Sequence, residues 1–166
     1  MIRAAVLTLS DKASKGERID QSGGKVEELL KTIGASVSYY KILPDEEELI
    51  VKELIILCEE GYDLIVTTGG TGISPRDVTP DATLKVIEKR LYGFEIAMML
   101  EALKATPYAM LSRAVVGTRG KTLIINLPGS PNAVEENLKV VLHVIPHAVE
   151  KLKGSTEDCD KLVKKT

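Results

Sequence analysis

The chain has 166 residues, of which 44% are hydrophobic and 28% are charged. This length suits one domain with a single core, and the composition excludes a disordered chain and a coiled coil. The net charge of −2 provides no basic field for a nucleic-acid backbone, so we expect no nucleic-acid partner.

No apolar run approaches the roughly 20 residues that a membrane helix needs, and the first apolar stretch is too short for a signal peptide. We therefore predict a cytoplasmic protein with no membrane partner. The two cysteines, Cys58 and Cys159, lie far apart and lack the CxxC spacing. Neither a disulfide framework nor a thiolate metal site is expected from them.

Apolar runs alternate with helical patterns in the first half of the chain. In chain order, these patterns predict a strand over Arg3–Ser10, a helix with apolar positions from Val26 to Ile33, a strand over Ser36–Leu43, a helix that ends at about Glu60 and a strand over Leu64–Thr68. Strands that alternate with helices of this length pair in parallel through right-handed crossovers. This half is therefore predicted to form a parallel β-α-β-α-β unit.

Capping residues predict where several helices begin and end. Asp45 and Glu48 form an acidic version of the capping box. Thr79 and Ser130 each precede a proline, so both are predicted N-caps with proline at the first helical position. Pro146 is expected to break or kink the last helix.

The second half of the chain also contains a predicted helix over Gly93–Ala105 and two strands, over Ala114–Arg119 and Lys121–Leu127. The strands flank Gly120 as a hairpin, which adds one antiparallel strand to an otherwise parallel sheet. We place a single domain over residues 1–153 and a charged tail, expected to fray, over residues 154–166.

Polar and glycine-rich loops follow the predicted parallel strands. In open parallel sheets, ligands bind beyond the carboxyl ends of the strands, where the next helices point their N-termini inward. The loops at that edge carry Ser10, Asp11, Pro44, Asp45, Thr68, Gly69, Gly70, Thr71, Gly72, Arg76, Asp77 and the segment Asn126–Ser130. This shared position predicts one binding site at that edge.

The segment Gly69–Gly72, called the glycine loop below, has backbone amides that a ligand can approach closely. Amides of this kind surround phosphate oxygens. The loop is not a P-loop, because Pro75 and Arg76 stand where a lysine is needed, and Pro75 also replaces the last glycine of GxGxxG. A tight strand-to-helix turn without a ligand explains the pattern equally well.

Asp45 and Asp77 lie beside this predicted phosphate site. Carboxylates repel a phosphate by about 4 kcal/mol per pair at 4 Å and an effective dielectric constant of 20. Mg²⁺, held by one or two carboxylates and by substrate phosphates, removes that conflict. Helix capping is a competing explanation for Asp45, and a structural pair with Arg76 is one for Asp77.

His143 and His147 have the spacing of neighbours on one helical face. Pro146 lies between them and no third ligand is evident, so we expect a structural or surface role rather than a zinc site. Cys58 stands in an apolar run, and we expect it in the core.

Several motifs in order resemble the molybdopterin adenylyltransferases of the MogA/MoaB type, and they are also similar to the G domain of gephyrin. These motifs are LTLSDKAS, GERIDQSG, LPDE, TTGGTGISPRDVTPDAT, TPYAMLSR and IINLPGSPNAV, and they lie within residues 3–153. The resemblance implies a three-layer α/β/α fold with a mostly parallel sheet, and a homotrimer. It also implies transfer of AMP from Mg-ATP to molybdopterin, with release of pyrophosphate, ahead of molybdate insertion by a downstream protein.

The resemblance further implies roles for individual residues. Asp45 and Asp77 match acids that are important for the transfer and would hold Mg²⁺, and Asp20 is a weaker third acid. The substrate-binding positions are Ser10, Asp11, Asp20, Thr68, Gly69, Gly70, Thr71 and Gly72, with Ser112, Pro128, Gly129 and Ser130 on the pterin side. The alternative is a non-catalytic pterin-binding or scaffold protein of the MoaB type. The two acids and the uninterrupted glycine loop favour the enzyme.

Overall fold

One sheet of six strands runs through the computed structural model, which describes residues 1–157 and 159. The strands are β1 (Ile2–Leu9), β2 (Ala35–Leu43), β3 (Leu64–Thr68), β4 (Lys89–Arg90), β5 (Val116–Arg119) and β6 (Thr122–Leu127). Their order across the sheet is β2-β1-β3-β6-β5-β4. Strand β5 is antiparallel to both neighbours, and β2, β1, β3 and β6 pair in parallel. The predicted mostly parallel sheet with one antiparallel strand is confirmed.

Seven helices connect these strands in the described part of the chain. They are α1 (Asp11–Ser14), α2 (Ser22–Lys31), α3 (Glu47–Glu59), α4 (Thr79–Val86), α5 (Tyr92–Ala105), α6 (Pro131–Leu142) and α7 (Ile145–Leu152), with a short 3-10 helix at Pro107–Leu111. The helix α1, the start of α2 at Ser22 and the two-residue edge strand β4 were not predicted. All three are short or lack a clear apolar period, which is the signal that predicts such elements.

Apolar side chains cover both faces of the sheet. Val6 on β1 packs in a cluster with residues of α2, α6 and α7, whereas its neighbour Leu7 belongs to a second cluster with residues of α3 and α4. Successive strand residues point to opposite faces, so this alternation needs a helical layer on each side. The expected three-layer α/β/α arrangement is therefore confirmed.

Two of the predicted helix caps are wrong. The N-cap of α3 is Glu46, which makes no side-chain capping bond, and that of α4 is Val78. The side chains of Asp45 and Thr79 instead contact other loops at the carboxyl edge of the sheet. The N-cap at Ser130 is confirmed, since its hydroxyl accepts a hydrogen bond from the amide of Ala133 at 3.2 Å.

Pro146 separates two helices, as predicted, because α6 ends at Leu142 and α7 begins at Ile145. His143 is an exposed residue at the end of α6. The described residues contain no group of three or more His, Cys, Asp or Glu side chains that could hold a metal.

Cys58 packs against the second core cluster, and burial raises the pKa of its thiol. Most of the predicted charged tail, residue 158 and residues 160–166, lies outside the described residues. Among the described helices, none has the length and hydropathy needed to span a membrane.

The glycine loop begins with a residue that must be glycine. Gly69 has a φ of +94°, and an added Cβ would lie 2.3 Å from the carbonyl oxygen of Leu9. Positive φ alone disfavours a side chain, and here the neighbour is a strand backbone that cannot move aside. The close approach of β1 to β3 therefore depends on this glycine.

We expect Gly69→Ala to lower the free energy of unfolding by more than Gly34→Ala. Gly34 has a φ of +73° but open space around it, so its substitution should cost only the backbone strain of about 1–2 kcal/mol. Urea denaturation of both variants measures the difference. Equal losses would contradict a steric role for Gly69.

Candidate functional site

The loops at the carboxyl edge of the sheet border two adjacent clefts. The first, called the polar cleft, has a volume of about 630 Å³. Of the predicted site residues it is lined by Ser10, Asp20, Asp45, Thr68, Gly69, Gly70, Gly129 and Ser130. The second, called the apolar cleft, has a volume of about 790 Å³ and is lined by Thr71, Gly72, Ser112 and Pro128 together with side chains of α5. The glycine loop therefore borders both clefts.

The first two carbonyl groups of the glycine loop are bound by one residue at the start of α4. The hydroxyl of Thr79 donates to the carbonyl oxygen of Gly69 at 3.0 Å, and the amide of Thr79 donates to that of Gly70 at 3.2 Å. Thr79 is fully buried. Its hydroxyl thus fixes the loop instead of capping the helix.

The next two carbonyl groups are bound by Arg113, which precedes β5. The amide of Arg113 donates to the carbonyl oxygen of Thr71 at 2.8 Å, and its Nε donates to that of Gly72 at 2.7 Å. Four consecutive carbonyl groups of the loop are therefore held by donors from two other segments.

This arrangement fixes the direction of the loop amides. In a trans peptide, a carbonyl and the following N–H point in opposite directions, so the amides of Gly70, Thr71, Gly72 and Ile73 point away from Thr79 and Arg113. No described residue accepts a hydrogen bond from these four amides. The amide of Gly69, by contrast, donates to the carbonyl oxygen of Leu127 at 3.1 Å. Four adjacent amides therefore remain for an anion.

The carboxylates of Asp45 and Asp11 each accept a hydrogen bond from the backbone amide of the other residue. Asp45 Oδ2 accepts from the amide of Asp11 at 2.9 Å, and Asp11 Oδ1 accepts from the amide of Asp45 at 3.0 Å. Both carboxylate oxygens of Asp11 also accept from Arg76, each at 2.9 Å. Arg76 is the main reason that the pKa of Asp11 is lowered. The alternative of a structural pair between Asp77 and Arg76 is wrong, because Arg76 pairs with Asp11.

The other oxygen of Asp45, Oδ1, is buried and accepts no hydrogen bond from the described residues. Burial raises the pKa of this carboxyl group, and the charges of Asp11 and Asp77 raise it further. An unsatisfied buried acceptor costs about 1–3 kcal/mol. Such an oxygen is the kind of atom that a bound cation satisfies, and it lies at the glycine loop, 2.9 Å from where a Cβ on Gly70 would be.

Asp77 is held at the other side of the same loop. Its Oδ2 accepts from the amide of Ser74 at 3.0 Å and would lie 2.8 Å from a Cβ on Gly72. The two predicted acids thus contact successive parts of one loop, and their oxygen atoms have the ligand chemistry that Mg²⁺ prefers.

Asp20 lies in the polar cleft, but four donors surround it. Thr8 Oγ1 at 2.6 Å and the hydroxyl of Tyr40 donate to Oδ2, while the amides of Ser22 and Gly23 donate to Oδ1 at 3.0 and 3.1 Å. Burial works to raise its pKa, but these bonds lower it overall. Burial and the same carboxylate raise the pKa of Tyr40 to about 12. Asp20 therefore fixes the beginning of α2.

The segment Pro128–Ser130 is positioned by two hydroxyl groups, that of Ser22, which was not predicted, and that of Thr68, which was predicted to bind substrate. Ser22 Oγ donates to the carbonyl oxygen of Gly129 at 2.5 Å, and Thr68 Oγ1 donates to that of Pro128 at 2.6 Å. Gly129 and Ser130 face the polar cleft, whereas Pro128 and Ser112 line the apolar cleft. The predicted pterin-side residues are thus divided between the two clefts.

Comparisons with known proteins agree on one family. Residues 5–147 match the family model described as "Probable molybdopterin binding domain". A molybdopterin adenylyltransferase of Helicobacter pylori is 46% identical over 157 residues, covering 93% of this chain and 89% of the relative. Gephyrin of Dictyostelium discoideum is 47% identical over 154 residues, covering 87% of this chain, which spans only 21% of that protein.

A solved structure has the same fold. The molybdopterin biosynthesis enzyme MoaB of Thermus thermophilus is 45% identical and superposes with a TM-score of 0.88, covering 93% of this chain and 98% of that one.

We expect Asp20→Asn to lower the free energy of unfolding by about 1.5–3 kcal/mol at pH 7, since it removes hydrogen bonds to a charged group. The folded-state pKa of Asp20 is lowered, so its contribution is present above the unfolded value of about 3.9 and is lost as the pH falls through the folded value. Urea denaturation between pH 3 and pH 7 should show the two chains converge at acid pH.

The exposed Glu48 provides the control Glu48→Gln, which should behave like the unsubstituted chain. A deficit in Asp20→Asn that stays constant from pH 7 to pH 3 would contradict this account of Asp20.

Proposed function

This chain belongs to the family of probable molybdopterin-binding domains, and we propose that it is a molybdopterin adenylyltransferase of molybdenum cofactor biosynthesis. It transfers AMP from ATP to the terminal phosphate of molybdopterin and releases pyrophosphate. The support comes from relatives that carry this name at 38–46% identity over most of this chain.

The reaction needs no protein nucleophile. A phosphate oxygen of molybdopterin attacks the α-phosphorus of ATP, and the bond from that phosphorus to the pyrophosphate oxygen breaks. Transfer of this kind depends on positioning and on charge stabilisation. The unpaired amides of Gly70–Ile73 supply both, because they point in a fixed direction and donate to phosphate oxygens.

The observation that carries the proposal is the buried, unpartnered Oδ1 of Asp45 beside these amides. Two carboxylates next to a polyphosphate repel it, and Asp45 and Asp77 would hold Mg²⁺ together with the substrate phosphates. When bound, Mg²⁺ neutralises phosphate charge and makes the α-phosphorus easier to attack. Asp11 orients Asp45, because the carboxylate of each residue accepts a hydrogen bond from the backbone amide of the other.

We assign the ATP side of the site to Ser10, Asp11, Asp20 and Thr68–Gly72, and the pterin side to Ser112 and Pro128–Ser130. The glycine loop borders both clefts, which supports two ligands that meet at it. The two assigned sides share the clefts, since Thr71 and Gly72 line the apolar cleft and Gly129 and Ser130 line the polar cleft. Asp20 forms part of the wall of the polar cleft. Its carboxylate already accepts four hydrogen bonds from the protein.

A homotrimer is part of the proposal. Exposed apolar side chains on α5 and the 3-10 helix support an assembly, among them Ile96 at 58%, Leu100 at 61% and Tyr108 at 78% exposure. A soluble chain rarely exposes such side chains in one region without a partner. The adenylylated product is the substrate for a protein that inserts the metal, and we place these steps in the cytoplasm.

Pyrophosphate release from Mg-ATP that depends on added molybdopterin tests the activity directly. Release at the background rate, with molybdopterin still bound, would instead favour the non-catalytic pterin-binding or scaffold protein.

We expect Asp45→Asn and Asp77→Asn each to reduce AMP transfer by roughly 100-fold or more. Each variant loses a charge that the site needs, while the asparagine keeps the size of the side chain. The rate of molybdopterin-dependent pyrophosphate release provides the measurement.

The matched control is Glu46→Gln, because Glu46 is the exposed neighbour of Asp45 and makes no side-chain capping bond. It should retain full activity. Full activity in both aspartate variants would remove the proposed role of the two acids.

Removal of Mg²⁺ with EDTA should weaken ATP binding by the unsubstituted chain. Without the cation, Asp45 and Asp77 repel the phosphates, so titration calorimetry should give a dissociation constant at least about tenfold higher. Equal affinities with and without Mg²⁺ would contradict the metal role of these carboxylates.

A further inference from the structure

Arg113 contacts the glycine loop from outside the chain segment that forms it. It lies 41 residues after Gly72 and just before β5, and its Nε donates to the carbonyl oxygen of Gly72 at 2.7 Å. Its backbone amide donates to the carbonyl oxygen of Thr71. Two adjacent peptide groups of the loop therefore take their orientation from this residue.

The same guanidinium also holds the segment that carries Asp77. Its Nη2 donates to the backbone carbonyl oxygen of Asp77 at 2.7 Å, and Nη1 and Nη2 bind the carboxylate of Asp81 at 3.1 and 3.2 Å. All three nitrogen atoms of the side chain thus donate within the protein. Because every nitrogen of the guanidinium is already bound within the protein, Arg113 can affect a ligand only through the loop that it holds.

From these contacts we infer that Arg113 is a positioning residue, which sets the direction of the amides of Gly72 and Ile73 that bind the phosphates of ATP. This inference rests on the proposed function, because it concerns the ATP side of that site. Since Thr71 O and Gly72 O both accept from Arg113, the amides that follow them, those of Gly72 and Ile73, are held pointing the opposite way. A loop free to rotate would lose this preorganisation and bind phosphate more weakly.

Lysine cannot replace this arrangement. Its ammonium is a single point charge, whereas the planar guanidinium reaches Gly72, Asp77 and Asp81 together. Arg113→Lys therefore keeps the charge and the backbone bond to Thr71 that orients the Gly72 amide. It loses the side-chain bonds to the carbonyl oxygens of Gly72 and Asp77, so the Ile73 amide is no longer held in one direction.

We expect Arg113→Lys to raise both the KM for ATP and the calorimetric dissociation constant of Mg-ATP by about tenfold. The value of kcat should change by less than about threefold, because the acids that act on the reacting phosphate remain. The KM for molybdopterin should not change. A structural defect alone would lower the active fraction and thus kcat, leaving both KM values as they are.

Two further variants control this experiment. Arg119→Lys makes the same change at a remote arginine, which donates to the carbonyl oxygen of Val86 at 3.1 Å, and it should not alter either KM. Asp81→Asn removes the exposed ion pair but leaves the bonds from Arg113 to the two carbonyl groups, so the KM for ATP should stay within about twofold.

An unchanged KM for ATP in Arg113→Lys, or a rise of equal size in Asp81→Asn, would overturn the inference. If the lysine variant does not fold, Arg113→Gln provides the same comparison. The side-chain amide of glutamine also donates hydrogen bonds, but it cannot reach several acceptors at once as the guanidinium does. An unsubstituted chain that binds Mg-ATP without transferring AMP would contradict the proposed function, while its binding constant would still test Arg113. Failure of the unsubstituted chain to bind Mg-ATP would overturn both.

Discussion

The site depends on the hydrogen bonds that hold the four carbonyl groups of the glycine loop. Thr79 and Arg113 supply every one of those bonds, from the start of α4 and from the segment before β5. With the carbonyls facing the protein, the amides of Gly70–Ile73 are left without acceptors among the described residues. A flexible glycine segment thereby becomes a row of fixed donors, which is what phosphate recognition requires.

The acids beside this loop produce an electrostatic conflict that the protein alone does not resolve. Asp11 is neutralised by Arg76, but Asp45 keeps a buried oxygen without a donor in the described part of the chain, and a raised pKa. Such an atom does not stabilise the fold, because an unsatisfied buried acceptor is unfavourable. A cation would satisfy this oxygen, and a polyphosphate bound to the neighbouring amides would bring the cation with it.

Sequence reasoning predicted the fold, and it predicted which loops share the edge where the candidate site lies, since both follow from apolar periods and from the rule that parallel strands end at one edge. It did not predict Arg113, Ser22 or the four donors around Asp20. Arg113 is 41 residues from Gly72, and no local pattern marks a contact over that distance. The division of Ser112 and Ser130 between two clefts was missed for the same reason, as it depends on how separate loops pack.

The two wrong helix caps show where local rules yield to the site. Asp45 and Thr79 both have the chemistry of an N-cap residue, but each lies one residue away from the observed N-caps of α3 and α4, which are Glu46 and Val78. Each side chain contacts another loop of the site instead, Asp45 the amide of Asp11 and Thr79 the carbonyl of Gly69. Capping would have stabilised each helix by about 1 kcal/mol. A good capping residue that does not cap its helix therefore marks a position where another contact holds the side chain, and here both such residues lie at the candidate site, beside the glycine loop.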